Sequence, residues 1–114
     1  MQQPESGPDN EILNFGLELA MEWGENWLKP IQERLHAKYP GLSSEERDRL
    51  DVICREAMKF AYATVYRMAE ASGKATSRTD FASVLGQRYP WIDRKNAEHL
   101  FSKGMYYAWK DFGF

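Results

Sequence analysis

Three groups of residues have types and spacing that could do chemistry. Glu33 and His36 stand three residues apart. That spacing puts both on one helix face, as in the Glu-x-x-His pairs of di-metal carboxylate bundles. Such a site needs a second copy of the pair and further inward carboxylates. The other histidine, His99, is preceded three residues earlier by Asn96, which is not a carboxylate. Closed metal sites take three or four converging ligands, so no metal is expected. Cys54 is the single cysteine and falls mid-helix on an apolar stripe. There a thiol acts as a small hydrophobe and not as a nucleophile. Arg94, Lys95, Asn96 and His99 cluster at the start of one helix. They could form the reading face of a helix-turn-helix, because Arg and Asn suit base edges.

No Gly-rich phosphate loop, nucleophile elbow or paired-Cys motif appears in the sequence. Gly24 and Gly104 instead recur on inward helix faces with alanines. Small residues there let backbones approach closely. The expectation is therefore no catalytic residue and no cofactor.

Composition sets the outer bounds. The chain has 114 residues, 43% hydrophobic and 28% charged, enough for one packed domain. A net charge of −2 gives no overall attraction to nucleic acid or anionic membrane. The charge is uneven. Residues 1–73 carry 8 Lys/Arg against 13 Asp/Glu, whereas residues 74–114 carry 7 against 4. One cysteine permits no intrachain disulfide, which suits a reducing compartment. No apolar run reaches the roughly 18 residues of a membrane span. The N-terminus lacks the basic and apolar regions of a signal peptide. A cytoplasmic protein without membrane contact is expected.

The elements that must position these groups follow from periodicity and punctuation. Residues 1–8, with two prolines and no period, read as a flexible tail, leaving 9–114 as a single all-α domain. A helix over about 10–38, capped by Asp9 or Asn10, carries Leu13, Leu17, Ala20, Gly24, Trp27, Leu28, Ile31 and Leu35 on one face. Pro30 interrupts it, yet Ile31 and Leu35 stay in phase, which predicts one kinked, continuous helix. Tyr39-Pro40-Gly41 ends it. Ser43 and Glu46 have capping-box spacing and open a second helix, about 44–72, that buries Cys54, Ala57, Ala61 and Val65. The short loop between these two predicts a long antiparallel hairpin. Thr79 is the expected cap of a short helix, about 80–88, burying Phe81, Val84 and Leu85. Asp93 is the expected cap of another, about 94–111. The fold class is thus all-α, a four-helix arrangement with the two shorter helices on the hairpin.

One internal echo stands out at an offset of 50. Lys38-Tyr39-Pro40 matches Arg88-Tyr89-Pro90, Leu42-Ser43 matches Ile92-Asp93, Leu35 matches Leu85, and Leu50 matches Leu100. Both sites end a helix, block it with proline, staple the turn and cap the next helix. Duplication and convergence on a common turn both explain it.

A surplus of apolar surface remains. Ile12, Phe15, Leu19 and Trp23 form a second stripe on the first helix, and on the last Tyr106 points to the polar side with Trp109 at its edge. Exposed patches of this kind mark interfaces. They make the leading functional expectation a non-enzymatic protein–protein interaction module, homodimeric or bound to another protein. A nucleic-acid regulator using the last two helices is the alternative. An enzyme or carrier with a hydrophobic small-molecule pocket is the third reading.

Overall fold

A computed structural model describes residues 6–22, 30–72 and 77–113, with side chains from Asn10 onward. Among them the chain is all-α, with helices α1 (Ser6–Ala20), α2 (Gln32–Lys38), α3 (Ser44–Ser72), α4 (Arg78–Arg88) and α5 (Arg94–Phe112). The first expected helix is not continuous. α1 ends at Ala20, and Pro30 and Ile31 are not helical before α2 begins. α1 stops ten residues before Pro30, so the proline, which removes an N–H and crowds only the turn just before it, is not what ends it. The in-phase Ile31 and Leu35 are fully buried anyway, because two successive helices can present the same core face. Trp23, Gly24, Trp27, Leu28 and the Glu25–Lys29 pair lie outside the described residues, as do residues 1–5 of the expected tail. Ser6–Pro8 belong to α1. A proline in the first turn is tolerated there because that N–H has no helical partner.

Two compact units divide the chain, residues 1–58 and 59–114. α3 passes from the first into the second.

In unit 1 the core is Leu17, Ala20, Met21, Ile31, Leu35, Cys54 and Ala57. α2 folds back along α1, so that Tyr39, at its C-cap, meets Phe15 edge to face at 5.7 Å. α3 then returns along α2. Gln32 donates to Asp48 at 3.2 Å, and an Arg47 guanidinium N–H reaches His36 Nδ1 at 3.1 Å. α1 and α3 touch at Gly16, where an added Cβ would lie 2.9 Å from Cys54 Sγ.

In unit 2 the core is Ala61, Val65, Ala69, Phe81, Leu85, Leu100, Phe101 and Ala108. Ser77, not Thr79, caps α4: its hydroxyl accepts the Asp80 N–H at 3.1 Å, which places Thr79 inside the first turn. α4 folds back along α3 until Tyr89 meets Phe60 edge to face at 5.6 Å. α5 returns along α4, with Phe81 and Phe101 rings 5.6 Å apart. At Gly104 an added Cβ would lie 2.8 Å from Val65 Cβ, so only glycine allows this approach. Val84, expected in the core, is exposed.

The two Tyr-Pro turns coincide in detail. Tyr39 has φ −127°, ψ 74°, and Tyr89 has φ −130°, ψ 72°. Each Tyr N–H bonds the leucine carbonyl four residues back at 2.7 Å, and each Tyr carbonyl accepts from residue i+3 at 3.1 Å. Ser43 Oγ and Asp93 Oδ1 then accept the N–H three residues on, at 3.1 and 2.8 Å. In unit 1 the box is reciprocal, because Glu46 accepts the Ser43 N–H at 2.8 Å. A cation covers each anchoring ring: Lys38 over Phe15 at 5.3 Å and Arg88 over Phe60 at 4.9 Å. The match thus reaches the helix before each turn. Phe15 and Phe60 are 45 residues apart, not 50, so this part of the echo is hidden in the sequence.

Candidate interaction surface

α3 and α5 begin at equivalent positions after their turns, and helical register carries the equivalence along both. Cys54 and Gly104 correspond, and both are buried at the helix–helix contact. Two and five residues onward, Glu56 and Lys59 correspond to Tyr106 and Trp109. All four are exposed. α3 thus meets solvent with charges where α5 presents aromatic rings, Tyr106 at 49% and Trp109 at 53% exposure. Exposed aromatic area is not a requirement of this fold, since the equivalent helix does without it.

These rings belong to a larger array. Tyr62 packs edge to face on Tyr107 at 5.6 Å, Tyr107 on Tyr106 at 5.7 Å, and Tyr106 lies 6.4 Å from Trp109. Lys110 stands 6.0 Å from the Tyr106 ring centre. At the far end Tyr66 donates to Asp111 Oδ2 at 2.6 Å and packs on Phe112. Burial holds the Tyr62 hydroxyl above its usual range, with the neighbouring Tyr107 adding to the shift. It is the half-buried foot of a stack whose head is in water.

The other half of the expected surface is occupied differently. Phe15 is half-buried and engaged by Tyr39 and Lys38. Leu19 is half-buried. Ile12 is half-buried and lines a groove of about 290 Å³ with Leu13, Leu42, Leu50 and Ile53, with Glu46 and Arg49 also lining it. Trp23 lies outside the described residues. A second cleft, about 500 Å³, lies between α4 and α5 around Phe81, Ile92, Ala97 and Phe101. Arg78 stacks on Phe101 at its edge, and Arg94 there pairs with Glu98.

Two of the residues with chemical potential, His36 and Cys54, make contacts within the fold. His36 and Glu33 are exposed, and Arg47, which can only donate, occupies His36 Nδ1 while also bonding the Leu42 carbonyl at 2.9 Å. Among the described residues no three His, Cys, Asp or Glu side chains converge as a metal site would require. The Cys54 thiol points at the Leu13 carbonyl, 3.4 Å away, and burial pushes its pKa up to about 12, leaving no thiolate at neutral pH. Asn96 is fully buried, which removes it from the expected base-reading face. Its spacing with Leu100 and Gly104 was the signal for this, because steps of four follow the inward stripe. Among the described residues no helix is long and apolar enough to cross a membrane.

No protein-family model, curated protein or solved structure matches the chain.

Proposed function

We propose that this chain is a non-enzymatic helical module that works by protein–protein contact, associating with a second copy of itself through the aromatic face of α5. One observation carries the reading: Tyr106 and Trp109 are exposed at positions where the equivalent helix carries Glu56 and Lys59. Tyr and Trp supply large contact area at small entropic cost and are enriched in interface cores. Their stacking on the half-buried Tyr107 and Tyr62 fixes the ring positions before any partner arrives, which lowers the cost of binding. Sedimentation equilibrium across the micromolar range tests the reading. The expected result is a mass that rises towards that of two chains with concentration. A single-chain mass throughout would refute self-association.

A second reading is supported by the charge of unit 2, with 9 Lys/Arg against 5 Asp/Glu, and by the exposure of Arg88, Arg94, Lys95 and His99. It is a nucleic-acid regulator that contacts phosphates more than bases, since Asn96 is buried. Gel shifts with random-sequence DNA and RNA at low salt should then show binding that disappears as salt rises.

A further inference from the structure

The two units differ in complementary ways. Unit 1 has the groove bordered by Leu50 and Ile53. At the equivalent positions unit 2 has Leu100, fully buried, and Lys103, half-buried, so the apolar opening is closed by packing and a charge. Unit 2 has the exposed Tyr106 and Trp109, and at the equivalent positions unit 1 has Glu56 and Lys59. Unit 1 therefore carries an opening at these positions without a knob, and unit 2 a knob without that opening, its own cleft lying elsewhere, between α4 and α5.

We infer that the knob of one copy docks into the hole of another. In this contact Trp109, with Tyr106 beside it, enters the Ile12, Leu50 and Ile53 groove of a second copy. The inference rests on the proposed self-association and specifies its geometry. The contact is heterologous, joining two different surfaces, and not a patch meeting itself.

Three observations favour a second copy as occupant. First, charge is complementary: unit 1 carries 6 Lys/Arg against 12 Asp/Glu, a net of −6, and unit 2 carries 9 against 5, a net of +4. Opposite charges steer such surfaces together and oppose like-with-like contact. Locally, Lys110 flanks Tyr106 and the groove lining holds both Glu46 and Arg49, so the complementarity belongs to the units as wholes. Second, about 290 Å³ lies just below the roughly 300–1,000 Å³ range of small-molecule pockets, which suits one large side chain. Third, Val52, next to Ile53 in α3, is 54% exposed, an apolar side chain in solvent on the helix that supplies Leu50 and Ile53 to the groove. Two reciprocal contacts close a dimer.

Mixing tests the heterologous geometry, using variants that borrow each unit's residues for the other. The knob variant is Tyr106→Glu with Trp109→Lys, and the hole variant is Ile53→Lys. Ile12→Lys is a second hole variant, in case Ile53→Lys disturbs folding, and circular dichroism verifies the helix content of each. Each variant alone should be monomeric, its self-affinity at least ten-fold below that of the parent chain. An equimolar mixture should form a complex of two chains, because one intact knob meets one intact hole. A parent chain that associates while the mixture stays monomeric overturns the knob-in-hole contact and leaves self-association standing. Variants that associate as well as the parent also overturn it. A parent chain that is itself monomeric refutes the self-association on which the inference rests.

Discussion

Units 1 and 2 use the same turn to different ends. Each folds a helix back on the one before, stops it at Tyr-Pro, anchors the tyrosine on a cation-covered phenylalanine, and caps the next helix three residues later. What is common to both is what the fold needs. What differs is available for something else. By that standard the phenylalanine anchors, the caps and the buried leucines before each turn are structural. The groove beside Leu50 and the rings on α5 are surplus. An exposed aromatic in a protein of this size would be hard to interpret alone, but here its counterpart in α3 provides the control.

Substitutions at equivalent positions sharpen or break the comparison. The largest effect is expected at Leu100, which is fully buried. Leu100→Ala should cost about 2–5 kcal/mol in urea unfolding. Leu50→Ala, at the half-buried groove position, should cost less than about 2 kcal/mol by the same transfer-and-cavity reasoning. Equal costs would mean that the groove is not an opening in the core. Next come the two glycines. Gly104→Ala drives a Cβ onto Val65 Cβ, which cannot rotate away, and should cost about 1–3 kcal/mol. Gly16→Ala meets only Cys54 Sγ, which can swing aside. Its clash is offset by the helix preference for alanine, so the net change should stay within about 1 kcal/mol.

Alkaline pH gives a third contrast. The Cys54 pKa is raised by burial from its usual 9.0 to about 12. The folded state therefore holds a proton that the unfolded chain gives up. This contribution is complete below about pH 9 and is lost as pH climbs towards 12, with a slope of at most about 1.4 kcal/mol per pH unit. Cys54→Ala should flatten the early part of that loss, leaving the fall due to Tyr62, whose pKa is also raised by burial. A thermal-melt series between pH 8 and 11 that is unchanged by Cys54→Ala would contradict this assignment. The smallest effects should be the most alike: Ser43→Ala and Asp93→Ala each remove one cap and should each cost about 1 kcal/mol.

Sequence reading found the parts of the molecule whose chemistry is local. The Ser43 and Asp93 caps, the α3 boundaries and the Tyr-Pro turns need only residues within four positions of one another, so spacing reveals them. It failed where the decisive partner is distant or the phase misleads. Ile31 and Leu35 keep the period of α1 across Pro30, so the pattern reads as one helix although the chain makes two. Phe15 and Phe60 do the same work, but their offset differs from that of the turns they anchor. Asn96 was assigned to the surface for its polarity, although its register with Leu100 places it inside. The candidate surface was half legible. Tyr106 falls on the polar side with Trp109 at its edge, and both are exposed, whereas Phe15 looked surplus only because its partner, Tyr39, comes from another element.

The most direct measurement is sedimentation equilibrium of the chain in which α5 carries the residues of α3, Tyr106→Glu with Trp109→Lys, against the unaltered chain. The unaltered chain should associate, and the double variant should remain a monomer with the helix content of the unaltered chain, since α3 shows that the fold accepts charges at those positions. An unaltered chain and a variant with the same mass at every concentration would contradict the assignment of the α5 aromatic face as the interaction surface.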